Sequence, residues 1–197
     1  MDKVAQIAAE ISSIERIIVV PFADEGSMDF SKIEKAVLYP EFIDGEAREI
    51  IFEQLPFDHP LYIMYSSGTT GAPKCMVHGQ GGTLIQHLKE LMLHTDLTRD
   101  DTIFYFTTCG WMMWNWLVSS LAVGATLLLY DGSPFYPDAA ALMRLSEKEK
   151  ISVFGTSAKY LISIEKEGLK PGKDFDLSSL RTILSTGSPL PAESFEY

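Results

Sequence analysis

Apolar positions in the second half of the chain come in short runs separated by stretches of helical period. Residues 102–107 (TIFYFT), 125–130 (ATLLLY), 151–154 (ISVF) and 180–185 (LRTILS) read as strands, each closed by turn-forming residues. Between them, residues 112–123 are apolar almost throughout and predict a buried helix, while 137–150 and 158–167 predict amphipathic ones, the first opened by Pro137-Asp138. The first half is less regular. Val4, Ile7, Ala8 and Ile11 predict a helix over 3–14, and Ile17-Ile18-Val19-Val20, closed by Pro21, a strand. Phe30, Ile33, Ala36 and Val37 predict a short helix over 29–38. Residues 39–60, broken by Pro40, Pro56 and Pro60, predict irregular structure. Residues 61–65 (LYIMY) read as a buried strand. Leu84, Ile85, Leu88, Leu91 and Met92 share one face of a helix over 83–94.

Strands alternating with helices, the strands apolar on both faces, predict an α/β fold: a mostly parallel sheet with helices on both faces. In such sheets ligands bind beyond the carboxyl ends of the strands. That rule collects four loops on one rim: 66–74, 107–111, 131–135 or 155–157, and 186–190. Residues 1–60 form a lead-in of helix, strand and irregular chain, and 61–197 the subdomain that carries the rim.

One of those loops stands out chemically. Residues 65–74, YSSGTTGAPK, pack two serines, two threonines, two glycines and a lysine directly after an apolar strand. Glycines let the backbone turn and approach closely, N–H and hydroxyl groups donate hydrogen bonds, and the lysine supplies a point charge. That is a phosphate-binding composition. It is not a Walker A sequence, since G-x-x-x-x-G-K-[ST] is missing. A plain flexible turn is the other reading of such a cluster. A looser glycine patch follows at Gly79, Gly81 and Gly82, with His78 close by as a candidate ligand contact. All three tryptophans fall in Gly110-Trp111-Met112-Met113-Trp114-Asn115-Trp116. Met113 and Trp116 suit a packed helix start, whereas Trp111, at the loop end, suits a pocket wall. His59, His87 and His94 are expected at the surface or on helix faces.

Composition narrows the field. The net charge of −11 argues against nucleic acid as a partner and against anionic membranes, while leaving room for a local anion site. No apolar run of 18 residues occurs, so no membrane span is expected. Cys75 and Cys109 match no metal spacing and are expected as free thiols in a reducing, cytoplasmic setting. No Ser-His-Asp order or paired-histidine spacing supports covalent hydrolysis or zinc chemistry.

YSSGTTGAPK closely resembles the phosphate-loop motif of the adenylate-forming superfamily, which includes acyl-CoA synthetases, luciferases and peptide-synthetase adenylation domains. Residues 180–190 (LRTILSTGSPL) resemble that family's later strand and adenine-contacting turn. Residues 110–134 and 74–90 resemble its acetoacetate-activating branch. The resemblance implies ATP, Mg2+ and coenzyme A as cofactor and co-substrates, and a small carboxylate as substrate. The carboxylate would be adenylated and then transferred to the thiol of coenzyme A. It implies that Ser66, Ser67, Gly68, Thr69, Thr70, Gly71 and Lys74 hold the nucleotide's phosphates. Gly187, Ser188 and Pro189 would lie along the adenine, with Ser188 standing where the family usually has an acidic residue. Trp111, Gly155, Thr156 and Ser157 would line the acyl pocket, with Gly155, at a position where acetate-specific relatives carry an aromatic, leaving room for a longer chain. The family's Tyr-Gly-x-Thr-Glu segment, ribose aspartate and C-terminal domain with its lysine have no counterpart in these 197 residues. The chain is therefore expected to be an internal piece of the large N-terminal domain, holding no catalytic or metal-binding residue of its own and having little or no activity alone. The alternatives are an adenylation domain that hands another acid to a carrier protein, and a non-catalytic nucleotide-binding module.

Overall fold

A computed structural model describes residues 2–22, 29–31, 33–43, 45–46, 49–66 and 71–197. They fall into two compact units, residues 1–54 and 55–197. In the first, α1 (Asp2–Glu10) precedes β1 (Ile17–Val19), which pairs in parallel with β2 (Ala36–Leu38), followed by a single helical turn, α2 (Tyr39–Phe42). The helix expected over 29–38 is not formed. The Asp29 carboxylate accepts bonds from Ser31 N (3.0 Å) and Oγ (2.6 Å), making a turn, and Ala36-Val37-Leu38 then runs alongside β1. A short apolar run fits either period, and pairing with β1 settles it as strand. The first helix stops at Glu10 because Ser12 and Ser13 follow, residues that favour turns over helix continuation.

The second unit holds a four-stranded parallel sheet in the order β6–β5–β7–β8, made of β5 (Thr102–Tyr105), β6 (Thr126–Leu128), β7 (Val153–Ser157) and β8 (Thr182–Thr186). Side chains alternate across it as the pleat requires. Ile103, Tyr105 and Val153 pack on one face against Leu91, Trp116 and Leu117. These come from the helical stretch α3 (Gln80–Leu88), extended by a π-helical turn (Lys89–His94), and from α4 (Met112–Val118) with its 3-10 extension (Ser119–Ala122). Phe104 and Phe154 pack on the other face against Leu142 and Met143 of α5 (Ala141–Glu149) and Tyr160, Leu161 and Ile164 of α6 (Ala158–Lys166). Phe104 and Phe154 are register partners with ring centroids 5.1 Å apart. Each such fully buried side chain stabilises the fold by about 1.5–3 kcal/mol. A short helical turn, α7 (Pro171–Asp174), leads towards β8. No helix among the described residues is long and apolar enough to cross a membrane.

Four expectations change here. Residues 61–65 lie in β3 (Pro60–Tyr65), which pairs antiparallel with β4 (Cys75–Gly79) in a separate two-stranded ribbon, so the loop between them is a hairpin loop and not a strand-to-helix crossover. That strand is not buried: Leu61, Ile63 and Tyr65 are exposed. Residues 155–157 are not a loop but the end of β7. On the helical stretch over 80–94, only Leu91 of the expected apolar face is fully buried, while Leu84, Ile85 and Met92 are exposed.

The starts of β5, β7 and β8 are tied together by one buried carboxylate. Asp101 Oδ1 accepts from Ser152 Oγ (2.7 Å) and Arg181 Nε (3.1 Å), and Oδ2 from Arg181 Nη2 (2.7 Å) and from Thr98 N (2.7 Å) and Oγ1 (3.0 Å). Arg181 also donates to the carbonyls of Thr95 (3.1 Å) and Asp96 (2.6 Å). With the starts aligned, the carboxyl ends of the same strands emerge at a common rim.

Ser157 joins that rim to α6. Its Oγ accepts from Tyr160 N at 3.2 Å, an N-cap that satisfies one of the helix's free amides. Ser157→Ala is expected to cost about 1 kcal/mol, lowering the melting temperature by about 2–4 °C in a thermal melt.

Candidate nucleotide and acyl site

At the rim, the ends of β5, β7 and β8 and the first turn of α4 enclose a crevice of about 20 Å³, lined by Tyr105, Phe106, Thr107, Trp111, Met113, Thr156, Ser157 and Thr186. That volume holds one methyl- or water-sized group. The helix start at Trp111 follows from its extended backbone (φ −113°, ψ 151°) and from Trp111 N bonding Thr108 O at 3.0 Å, which turn the chain from β5 into α4. Trp111 is half exposed and stands at the mouth. Tyr105 and Thr156, 6% and 1% exposed, are its closed end.

Gly187 meets Trp111 across this mouth. It leaves β8 with φ +90°, the left-handed region that favours glycine, and a Cβ there would lie 3.9 Å from Trp111 Cη2. Ser188 and Pro189 are exposed. They border a mainly apolar trough of about 730 Å³ on the face of β8 that α5 and α6 cover, shared with Ile183, Leu190 and Phe195.

Gly155 does not open space as expected. It is the register partner of Tyr105, and a Cβ at 155 would fall 2.1 Å from Tyr105 Cδ2. The tyrosine ring therefore already fills the room that the glycine leaves. The ring is fixed by an edge-on contact with Trp116 (centroids 6.2 Å apart) and by its hydroxyl donating to Thr156 O at 3.3 Å. Burial pushes the Tyr105 phenol up to about 12, so it is a neutral donor at physiological pH. The Thr156 hydroxyl is buried without a partner among the described residues, and that of Ser157 is committed to its cap.

Of the phosphate-loop candidates, Ser67, Gly68, Thr69 and Thr70 lie outside the described residues. Ser66, Gly71 and Lys74 are described. Ser66 and Lys74 close the hairpin, with Ser66 N donating to Lys74 O (3.0 Å) and Lys74 N to Ser66 Oγ (3.1 Å). The Lys74 side chain is exposed. The ribbon touches α4, where Asn115 Nδ2 reaches Met64 Sδ at 3.4 Å. The crevice thus brings Trp111, Thr156 and Ser157 together, with Gly187 near Trp111 at its mouth; Ser66, Gly71 and Lys74 do not line it. Tyr105, Met113 and Thr186 were missed by sequence reasoning, because apolar or β-branched residues in strands and helix starts look like core. Only the strand register and the seating of α4 reveal them.

The second glycine patch has a packing role. A Cβ at Gly81 would fall 2.2 Å from the Phe57 ring, and one at Gly79 would meet the Asp58 backbone at 3.3 Å. His78 lines a separate cavity of about 470 Å³ between the ribbon, α3 and α4. His87, expected at the surface or on a helix face, lies on α3 and is half-buried there. Ser119 Oγ donates to Asn115 O (3.1 Å), so it accepts from His87 Nδ1–H (2.8 Å). Burial lowers the His87 pKa; Glu90 raises it and His78 lowers it further.

The chain is 55% identical over 181 residues to an acetoacetyl-coenzyme A synthetase of Rhizobium meliloti, covering 91% of this chain and 28% of that protein. It is 50% identical over 203 residues to the acetoacetyl-CoA synthetase of Danio rerio, covering 100% of this chain and 30% of that one. It is similar in structure to acetoacetyl-CoA synthetase from Streptomyces lividans, with a TM-score of 0.86, 42% identity, and coverage of 99% of this chain and 29% of that one. The chain spans about 30% of the length of the curated relatives it matches. Residues 2–196 match the AMP-binding enzyme family, and the chain belongs to that family.

Proposed function

We propose that the full-length protein containing these residues activates acetoacetate, or another short-chain carboxylate, as an acyl-adenylate and transfers the acyl group to coenzyme A. The observation that carries this is the likeness, at 42% identity and TM-score 0.86, to an acetoacetyl-CoA synthetase across 99% of the chain. A carboxylate oxygen attacks the α-phosphorus of ATP and pyrophosphate leaves. The thiolate of coenzyme A then attacks the acyl carbon and AMP leaves. The residues' part is to position and to neutralise charge. Ser66, Ser67, Gly68, Thr69, Thr70 and Gly71 donate N–H or hydroxyl groups to the β- and γ-phosphates, and Lys74 adds its ammonium. Gly187, Ser188 and Pro189 run along the adenine. Trp111, Thr156 and Ser157 border the acyl group. Mg2+ is assigned as a companion of the nucleotide's own phosphates.

Acid-dependent exchange of labelled pyrophosphate into ATP, measured with the full-length protein, tests the first half-reaction. Exchange that depends on acetoacetate, with acetoacetyl-CoA appearing once coenzyme A is added, is the expected result. Exchange without thioester formation on coenzyme A would instead assign the second half-reaction to a carrier-protein acceptor. No exchange with any short acid would sink the proposal.

A further inference from the structure

We propose that Tyr105, seated on Gly155, sets the depth of the acyl crevice and so fixes the chain length of the acid. This rests on the acid-activating function proposed above. Tyr105 is 6% exposed at the closed end of the crevice, and Trp111 is 52% exposed at its mouth. The tyrosine ring can lie where it does only because position 155 has no side chain: a Cβ there would overlap Cδ2 at 2.1 Å and Cε2 at 2.5 Å. Its other constraints are the 3.3 Å bond to Thr156 O and the edge-on contact with Trp116. A ring held on three sides does not yield to a longer substrate by rotating away. The remaining space, about 20 Å³, is on the scale of one methyl group, such as the terminal methyl of a four-carbon 3-oxo acid. Gly155 is then a positioning residue, acting on the substrate only through Tyr105. This inverts the simple expectation that glycine at 155 enlarges the pocket, because the glycine admits the residue that closes it.

The test uses the full-length protein and compares kcat/KM for 3-oxopentanoate and acetoacetate, with the KM for ATP and the melting temperature as controls. Tyr105→Leu is expected to raise the 3-oxopentanoate to acetoacetate ratio by about 10-fold or more, the usual scale for one methylene in an apolar pocket. Gly155→Ala, which pushes the ring into the crevice, is expected to raise the KM for acetoacetate at least 10-fold and leave the KM for ATP unchanged. Adding Tyr105→Leu to Gly155→Ala is expected to restore acetoacetate turnover, since leucine vacates the space that the new methyl needs. A ratio unchanged within about twofold in Tyr105→Leu overturns the proposal, as does a double variant no better than Gly155→Ala. If Tyr105→Leu does not fold, Tyr105→Met is measured in its place against the same threshold. Wild-type protein that shows no acid-dependent pyrophosphate exchange would reject the functional proposal and this one with it. Wild-type exchange with an unmoved ratio rejects the depth assignment alone.

Discussion

Lys74→Ala in the full-length protein is expected to lower kcat/KM for ATP by about 100- to 1,000-fold, the usual loss when one preorganised charge-stabilising group is removed. The backbone of Lys74 closes the hairpin with Ser66, and those two bonds survive the substitution. The side chain is exposed, and its ammonium has no ion-pair partner among the described residues, so alanine leaves no buried group unsatisfied. The fold should therefore be untouched, within about 0.5 kcal/mol, as for ordinary surface substitutions. Initial-rate measurements of pyrophosphate release, with ATP and acid varied separately, check this. A loss confined to ATP supports the phosphate role of Lys74, and an unchanged ATP dependence refutes it. Lys74→Arg, which keeps the charge but changes its shape and hydration, should fall between.

Asp101→Asn is expected to destabilise the chain by about 2–4 kcal/mol, below the full cost of breaking a buried ion pair because Arg181 is partly exposed. By the usual scaling, a thermal melt should show the midpoint falling by about 5–12 °C. The carboxylate is the hub of five hydrogen bonds from three segments. Burial alone would raise its pKa, but the donors Arg181, Ser152 and Thr98 outweigh that and hold it well below the usual carboxylate range. A group depressed in the folded state contributes its stability in full above its unfolded pKa, near 4, and loses it as the pH falls further. Wild-type protein should therefore lose stability more steeply below about pH 4 than Asp101→Asn, while the two run parallel above about pH 5. Curves that stay parallel throughout would count against Asp101 as the source of that acid sensitivity.

The parallel sheet was legible in the sequence because its two central strands are buried on both faces. Ile103-Phe104-Tyr105 and Val153-Phe154 are continuous apolar runs, and continuous runs between helical periods have few other solutions. The ribbon was half legible. Residues 61–65 announce a strand, but Cys75-Met76-Val77-His78-Gly79 follows Pro73-Lys74 and precedes a glycine patch, so nothing local marks it as the partner. Antiparallel pairing across a nine-residue loop is a tertiary fact. The same limit hid β2, because Phe30, Ile33, Ala36 and Val37 fit a helical period until β1 lies beside the last two. At the site, Trp111 and the hairpin loop were conspicuous by composition. Tyr105 was not, since a tyrosine within an apolar strand looks like core. Its role emerges only from the register that sets it opposite Gly155, and no reading of periodicity delivers a register between strands 50 residues apart.

The clasp of Asp101 and Arg181 sits at one end of the strands and the crevice at the other. Five or six residues of strand rise place the two roughly 15–20 Å apart. Substitutions at that separation, with no shared partners, have nearly additive effects. The heritable consequence is modularity. On the function and depth assignment proposed above, a lineage can trade one acid for another by exchanging Tyr105 and Gly155 while the clasp stays as it is. The clasp can also drift while the substrate range stays fixed.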